Sequence, residues 1–282
     1  MISKILDPYK GPIEKAIAES IESFGPKTVL RDAVEYALKN GGKRFRPAIV
    51  YLIANALGNH TNVADAALAI EFFHTASLIA DDLPCMDDDN ERREMPSLHK
   101  VYGEATAILA TYALIAAGYD KIRIGAQKLG RSEICPIAIE NASFNTGILG
   151  ATGGQYDDLY PPHLTDSSVL DVIDKKTGTL FEVSFVFGWL FGGGDLQSLD
   201  TVKQAAISFG RAFQISDDFL DLEQDKDGMN YPAVVGVERA SKVLLLELQN
   251  YYSSLKKLSL ETPELLALAH LVEKRISALL VS

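Results

Sequence analysis

Apolar residues recur every three to four positions along nearly every long stretch of this chain, while alternating, strand-like patterns are scarce. Helices of that kind must bury their apolar stripes against one another. The fold class this dictates is all-α, a large helical bundle. Helices are expected over Pro12–Phe24, Thr28–Lys39 and Phe45–Leu57, punctuated by Gly25-Pro26, Gly41-Gly42 and Gly58. A longer helix is expected from Asn62 to Asp82, where Leu83-Pro84 ends or bends it. Others are expected over Tyr102–Ala117, Pro136–Leu149, Ser167–Phe191, Gln197–Leu222, Gly236–Lys257 and Pro263–Leu280. Gly192-Gly193-Gly194 is the expected stop after Phe191. The aromatic run Phe181, Phe185, Phe187, Trp189 and Phe191 reads as core rather than as a ligand site.

No linker, repeat or shift of composition divides the 282 residues, so they read as a single domain, 1–282. The net charge of −11 repels a phosphate backbone, which argues against nucleic acid as a partner. A small anionic substrate is still allowed, because local cations or metal ions override the global field. Cys85 and Cys135 form neither a disulfide framework nor a zinc pattern and fit a reducing compartment. No basic segment followed by an apolar core opens the sequence. The longest uncharged apolar stretch, Ala105 to Tyr119, is short for a membrane span. A cytoplasmic protein without a transmembrane segment is the expectation.

Two acidic clusters narrow the function. Asp81-Asp82-Leu83-Pro84-Cys85-Met86-Asp87-Asp88-Asp89 places five carboxylates within nine residues, directly after an apolar helix. Crowding them costs like-charge repulsion unless cations neutralise them, although an acidic run alone also reads as a solvated loop. The second cluster, Phe213-Gln214-Ile215-Ser216-Asp217-Asp218-Phe219-Leu220-Asp221, lies within an otherwise apolar helix. Asp217 and Asp221 are separated there by about 40° around the axis, with Gln214 a turn earlier on the same side. Carboxylates facing a helical core are expensive without a partner, and hard oxygens at this spacing suit Mg²⁺. Two such clusters can hold a group of Mg²⁺ ions between them, and such ions usually bind substrate phosphates as well.

Candidate phosphate partners accompany them. Gly41-Gly42-Lys43-Arg44-Phe45-Arg46-Pro47 sets Lys43 and Arg46 a turn apart near a helix start, where side chains and free N–H groups can hold an anion together. Arg92-Arg93 follows the first acidic cluster, and Lys176-Thr177 interrupts a helical segment. Each reads singly as surface charge too. His74 stands seven residues before Asp81, two turns up the same face.

With these elements in this order, the chain resembles the trans-polyprenyl diphosphate synthases, in particular their geranylgeranyl/farnesyl diphosphate synthase branch. The resemblance runs from about Gly41 to Gly236 and rests on GGKRFRP, FHTASLIADDLPCMDDD, the Arg pair, GGQYDDL, the Lys-Thr pair and FQISDDFLD. It implies an all-α bundle around a central cavity, a homodimer, and a cluster of Mg²⁺ ions between the two Asp-rich motifs. It implies Asp81 and Asp87 as metal ligands with Asp82 beside them, and Asp217 as a ligand supported by Asp218 and Asp221. Lys176, with these aspartates, belongs to the implied catalytic set. Arg92, Lys176, Thr177 and Gln214 match positions that bind the allylic diphosphate. Lys43, Arg46, His74 and Arg93 match positions that bind isopentenyl diphosphate. Gln155 and Asp158 match supporting positions, and Asp157 does not.

The implied reaction is condensation of isopentenyl diphosphate with an allylic diphosphate. Its product follows from the helix before Asp81, along which the growing tail should run. Ser77 and Ala76, four and five residues before Asp81, are small, where a bulky aromatic in the family commonly stops growth at C15. That favours the C20 product, geranylgeranyl diphosphate. Phe72 and Phe73 are candidates for a deeper floor. The alternatives are a C15 synthase and a catalytically weak regulatory subunit; a terpene cyclase would not need Lys43, Arg46 and His74. The chain departs from the family in a shorter loop after Asp221, where Lys226 alone is left as a phosphate-binding candidate. It also has Glu91 and Glu94 for the usual Leu and Gly, and Thr111-Tyr112 where Gly-Asp is common.

Overall fold

The computed structural model describes residues 2–161, 163–222 and 229–280, with side chains between 5 and 275. Lys226 lies outside the described residues. The first helices are α1 (Ile2–Ser20), α2 (Val29–Lys39), α3 (Phe45–Ala56) and α4 (Ala64–Asp81). A two-stranded ribbon, Glu91–Arg92 with Met95–Pro96, precedes α5 (Leu98–Tyr102), α6 (Glu104–Lys128), α7 (Ile134–Thr146) and α8 (Ala151–Leu159). Then come α9 (Asp166–Ile173), a π-helical turn over Asp174–Gly178, α10 (Thr179–Gly192) and α11 (Leu199–Leu220). Last are α12 (Tyr231–Val235), α13 (Val237–Lys257) and α14 (Pro263–Leu280).

The centre is α10. Every residue from Thr179 to Gly192 is buried, which is what a helix apolar on all sides demands. The aromatic run is therefore core, as expected, and truncating Phe187 would cost about 3–5 kcal/mol. The one acid in this helix, Glu182, is satisfied by Asn141 Nδ2 at 2.7 Å and Asn145 Nδ2 at 3.0 Å from α7. At its end Gly193 takes a left-handed φ of 96°, and the Gly194 N–H reaches back to the Trp189 carbonyl. That is a Schellman stop, in the place the glycine run predicts.

Helices α3, α4, α7 and α11 pack against α10, and a second apolar cluster joins α1, α2, α4 and α6. Most expected helices are present with shifted ends. Helix α1 begins well before Pro12, and α6 runs on to Lys128, past the expected end at Ala117. Helices α5, α8 and α12 were not expected, because segments of five to nine residues are too short to show a period. Among the described residues no helix is long and apolar enough to cross a membrane.

Candidate active site

The candidate residues come from the loop leading into α3 and its first turn, the second half of α4, the loop and ribbon that follow it, the π turn and the end of α11. Most of them line three neighbouring hollows of about 510, 410 and 240 Å³.

The largest hollow is cationic. Lys43, Arg46, His74 and Arg93, expected together, all line it. Gly42 makes this possible, since a Cβ there would stand 2.4 Å from the Arg93 guanidinium, which lies across the loop and donates to the Gly41 carbonyl at 2.5 Å. Arg46 donates to His74 Nε2 at 3.4 Å, which puts the ring proton on Nδ1. Among the described residues Arg46 Nε and His74 Nδ1 are buried without a hydrogen-bond partner, donors left for an incoming acceptor. Burial lowers Arg46 to about 10, still charged near neutrality, whereas burial and the surrounding arginines hold His74 well below its usual range and neutral. Beneath them Glu71 is fully buried and takes the guanidinium of Arg44, which also donates to Glu14 at 2.7 Å and to the Leu38 carbonyl at 2.5 Å. This buried network was missed in the sequence. An acid inside the apolar run of α4 was its visible signal, because such a group needs a partner.

The second hollow is apolar, with Asp81 and Lys176 among its few charged residues. Ala76, Ser77 and Ala80 form one wall, and Thr111 and Ile115 of α6 lie among the other lining residues. Phe73 lines it too, packed on Tyr119 at 5.1 Å between ring centroids, and Tyr119 in turn meets Thr146 Oγ1 at 3.2 Å. Gly118 leaves the space for this ring: a Cβ there would stand 2.5 Å from it. Phe72 points elsewhere, into the second core against Phe24, so only one of the two expected floor residues reaches the hollow. Burial, with Asp87 adding repulsion, pushes Asp81 up to about 7 against the pull of Lys176. The Asp87 N–H donates to the Asp81 carbonyl at 2.9 Å, and Gln155 Nε2 reaches Asp87 at 3.4 Å.

Lys176 borders the second hollow and the third. It is placed by the π turn, against which α8 packs so closely that a Cβ on Gly154 would stand 2.4 Å from the Lys176 nitrogen. Lys176 is paired with Asp158, which lines the third hollow, and Lys175 with Asp157. In the third hollow Thr177 Oγ1 donates to Gln214 Oε1 at 2.8 Å, and Gln214 Nε2 donates to Asp218 at 2.8 Å. Asp218 also accepts from the Tyr231 N–H at 3.0 Å, and burial lifts it to about 6. Asp217 is paired with Arg275 of α14, a contact from 58 residues away that no local pattern in the sequence announces. Asp221 caps α11, its N–H on the Asp217 carbonyl at 3.1 Å.

Five expected residues, Asp82, Asp87, Arg92, Asp217 and Asp221, line none of the three hollows, and two of them turn away altogether. Asp82 is buried and accepts from both Nε and Nη2 of Arg92, which also reaches Asp89 at 2.7 Å. Neither Asp82 nor Arg92 lines any of the three hollows; both line a smaller one behind α4.

Asp81 and Asp217, carboxylates lifted chiefly by burial and further by repulsion from neighbouring aspartates, are donors that a divalent cation would relieve, so they fit such an ion, with Asp87 hydrogen-bonded to the Asp81 backbone as a further oxygen donor. Among the described residues no three ligating side chains stand close enough to hold it unaided. Mg²⁺ suits that arrangement, because it is usually held by one or two carboxylates with substrate phosphates completing its shell.

Residues 27–244 match the family described as Polyprenyl synthetase. The chain is 34% identical over 252 residues to geranylgeranyl pyrophosphate synthase 4 of Arabidopsis thaliana, covering 82% of this chain and 66% of that protein. It is 33% identical over 291 residues to farnesyl diphosphate synthase of Geobacillus stearothermophilus, covering 97% and 98%. The crystal structure of an FPP/GFPP synthase from Zymomonas mobilis superposes with a TM-score of 0.84 at 26% identity, covering 96% of this chain and all of that one.

Proposed function

The chain belongs to the polyprenyl synthetase family, and we propose that it is a chain-elongating prenyltransferase that joins isopentenyl diphosphate to an allylic diphosphate, chiefly yielding geranylgeranyl diphosphate. The observation that carries this reading is the placing of Asp81: it lines an apolar hollow, and the cationic hollow adjoins along the same helix.

In this reading Asp81 and Asp87 on one side, with Asp217 and Asp221 on the other, hold Mg²⁺. Asp82 steadies Arg92 beside them, and Asp218 steadies Gln214. Bound there, the metal supplies positive charge to the departing allylic diphosphate. Lys176 adds a donor to the same leaving group, and Thr177 adds its own once its one hydroxyl proton turns from Gln214 to the diphosphate. Lys43, Arg46, Arg93 and the His74 N–H hold isopentenyl diphosphate, so that its double bond is kept next to the allylic carbon. The apolar wall of Ala76, Ser77 and Phe73 receives the tail and keeps water from the allylic cation. The C–O bond breaks first, leaving the allylic cation and free diphosphate; the isopentenyl double bond then attacks that cation to form the carbon–carbon bond, and the proton lost from the isopentenyl unit passes to the released diphosphate.

Product length follows from the same wall. Ala76 and Ser77 leave the tail free to pass, and Phe73, eight residues before Asp81, lies about 12 Å along the helix at 1.5 Å per residue. A single-domain homodimer completes the reading. Exposed apolar side chains on α6 and α7, including Leu109, Tyr112 and Phe144, are suited to burial against a second copy.

The test supplies purified protein with Mg²⁺, isopentenyl diphosphate and C5, C10 or C15 allylic diphosphates, and identifies the products. A C20 main product is expected. A C15 main product would correct the length assignment. Condensation seen only after adding a partner synthase would replace the reading with that of a regulatory subunit.

A further inference from the structure

Arg275 is the cation that a metal at Asp217 would have to displace. Its guanidinium pairs with Asp217, lies 3.3 Å from Ser216 Oγ, and sits 5.2 Å from the centre of the Phe213 ring. These three partners, at positions 213, 216 and 217, form one face of α11, so a single side chain covers the face that carries the aspartate. The other charged groups that face Asp217 are Asp221 and Asp218, which repel it, and Lys43 and Arg46, which attract it, the pull of Lys43 ranking below the ion pair.

The helix carrying Arg275 is anchored independently. Leu265, Leu268, Ala269 and Val272 are fully buried, and the Tyr251 hydroxyl donates to the Leu265 carbonyl at 3.0 Å. Arg275 comes one turn after Val272, so its release would not undock the helix. Arg275 also lines the cationic hollow with Lys43, Arg46, His74 and Arg93.

We infer that Arg275 is an internal competitor for the second aspartate cluster: it occupies Asp217 until a divalent cation takes its place, and its displacement loosens the end of α14. This rests on the reading of Asp217 as a metal ligand. A charge-assisted hydrogen bond must be broken before the metal can bind, so metal affinity at this cluster is held down by the pair. The displaced guanidinium would remain beside the cationic hollow, where any bound anion offers it a new partner. Metal and anion should therefore favour each other's binding through one side chain.

The test measures Mn²⁺ binding to the substrate-free chain by calorimetry. Arg275→Gln should bind at least about tenfold more tightly than wild type. Lys43→Gln, which removes a cation that is not in contact, should gain clearly less. Equal gains would reduce Arg275 to a contributor to the general field and overturn the competitor. No gain in Arg275→Gln would overturn it outright. Asp217→Asn should lose the site; Mn²⁺ binding unchanged in that variant would instead remove Asp217 from the metal site. A second readout needs no variant. Amide hydrogen exchange in the last turns of α14 should speed up when wild type is saturated with Mn²⁺, and unchanged exchange would sink the proposal even if Arg275→Gln failed to fold.

Discussion

The two larger hollows are walled by neighbouring stripes of one helix, yet they are built on opposite principles. On one stripe of α4, Glu71 and His74 face a hollow whose cations are fixed by named hydrogen bonds and by a buried counter-charge. On the next, Phe73, Ala76, Ser77 and Ala80 face a hollow defined by what is missing, since small side chains leave the room and one ring ends it. The first can recognise charge at a fixed place, and the second can recognise only length and shape. Asp81 follows both stripes at the end of the helix, where a reaction needing both kinds of recognition would be placed.

The sharpest way to break this division is Asp81→Ala. Turnover should fall by about a thousandfold or more while the far-ultraviolet circular dichroism is kept. Near-normal turnover would show that the chemistry lies elsewhere. Next in size, Arg46→Ala should raise KM for isopentenyl diphosphate by about ten- to a hundredfold. KM for the allylic substrate should change little, and equal rises in both would mean that the hollows are not separate binding sites.

The apolar stripe is tested by product length rather than rate. Ala76→Phe should shorten the main product, and Phe73→Ala should lengthen it by removing the ring held between Gly118 and Tyr119. An unchanged product in both would end the account of chain length.

Smaller effects concern stability. Asp81 and Asp218 are lifted to about 7 and about 6 in the folded chain, from 3.8. Between these limits the folded protein keeps protons that the unfolded chain has lost, so Asp218 disfavours folding more as pH rises from about 4 to 6, and Asp81 as it rises from about 4 to 7. Metal-free protein should lose Tm across that window, and Asp81→Asn should lose less. Identical slopes would mean that Asp81 is not held up by burial. The smallest effect is expected at the rim of the cationic hollow, where Arg93 and Glu94 turn the ribbon with φ of 58° and 67°. Glu94→Gly should relieve strain and stabilise the fold by roughly 1 kcal/mol, read from the urea midpoint.

Much of this was legible because it is local or periodic. The central helix, the Schellman stop after Phe191 and the interruption at Lys176-Thr177 all follow from composition and spacing. So does the gathering of Lys43, Arg46, His74 and Arg93, through motifs with a fixed geometry. Other features depend on contacts between distant segments. Sequence places Asp82 beside Asp81 with equal standing, but the backbone turns after α4 send one towards the hollow and the other to Arg92. Phe72 and Phe73 look interchangeable until about 100° of helical rotation assigns them to different cores. Arg275 sits in an ordinary amphipathic pattern, and only tertiary docking brings it to Asp217.

The wide turn at Asp174–Gly178 holds one residue more than a regular helix requires. Deleting it would give the backbone an ordinary ladder and would turn everything on one side of the cut by about 100° relative to the other. Lys176 and Thr177 could not then both keep their neighbours Asp158 and Gln214. A shortened version of this segment is thus a place where a protein could gain regularity and lose its chemistry in the same event, so a surviving lineage would be expected to carry the surplus residue intact.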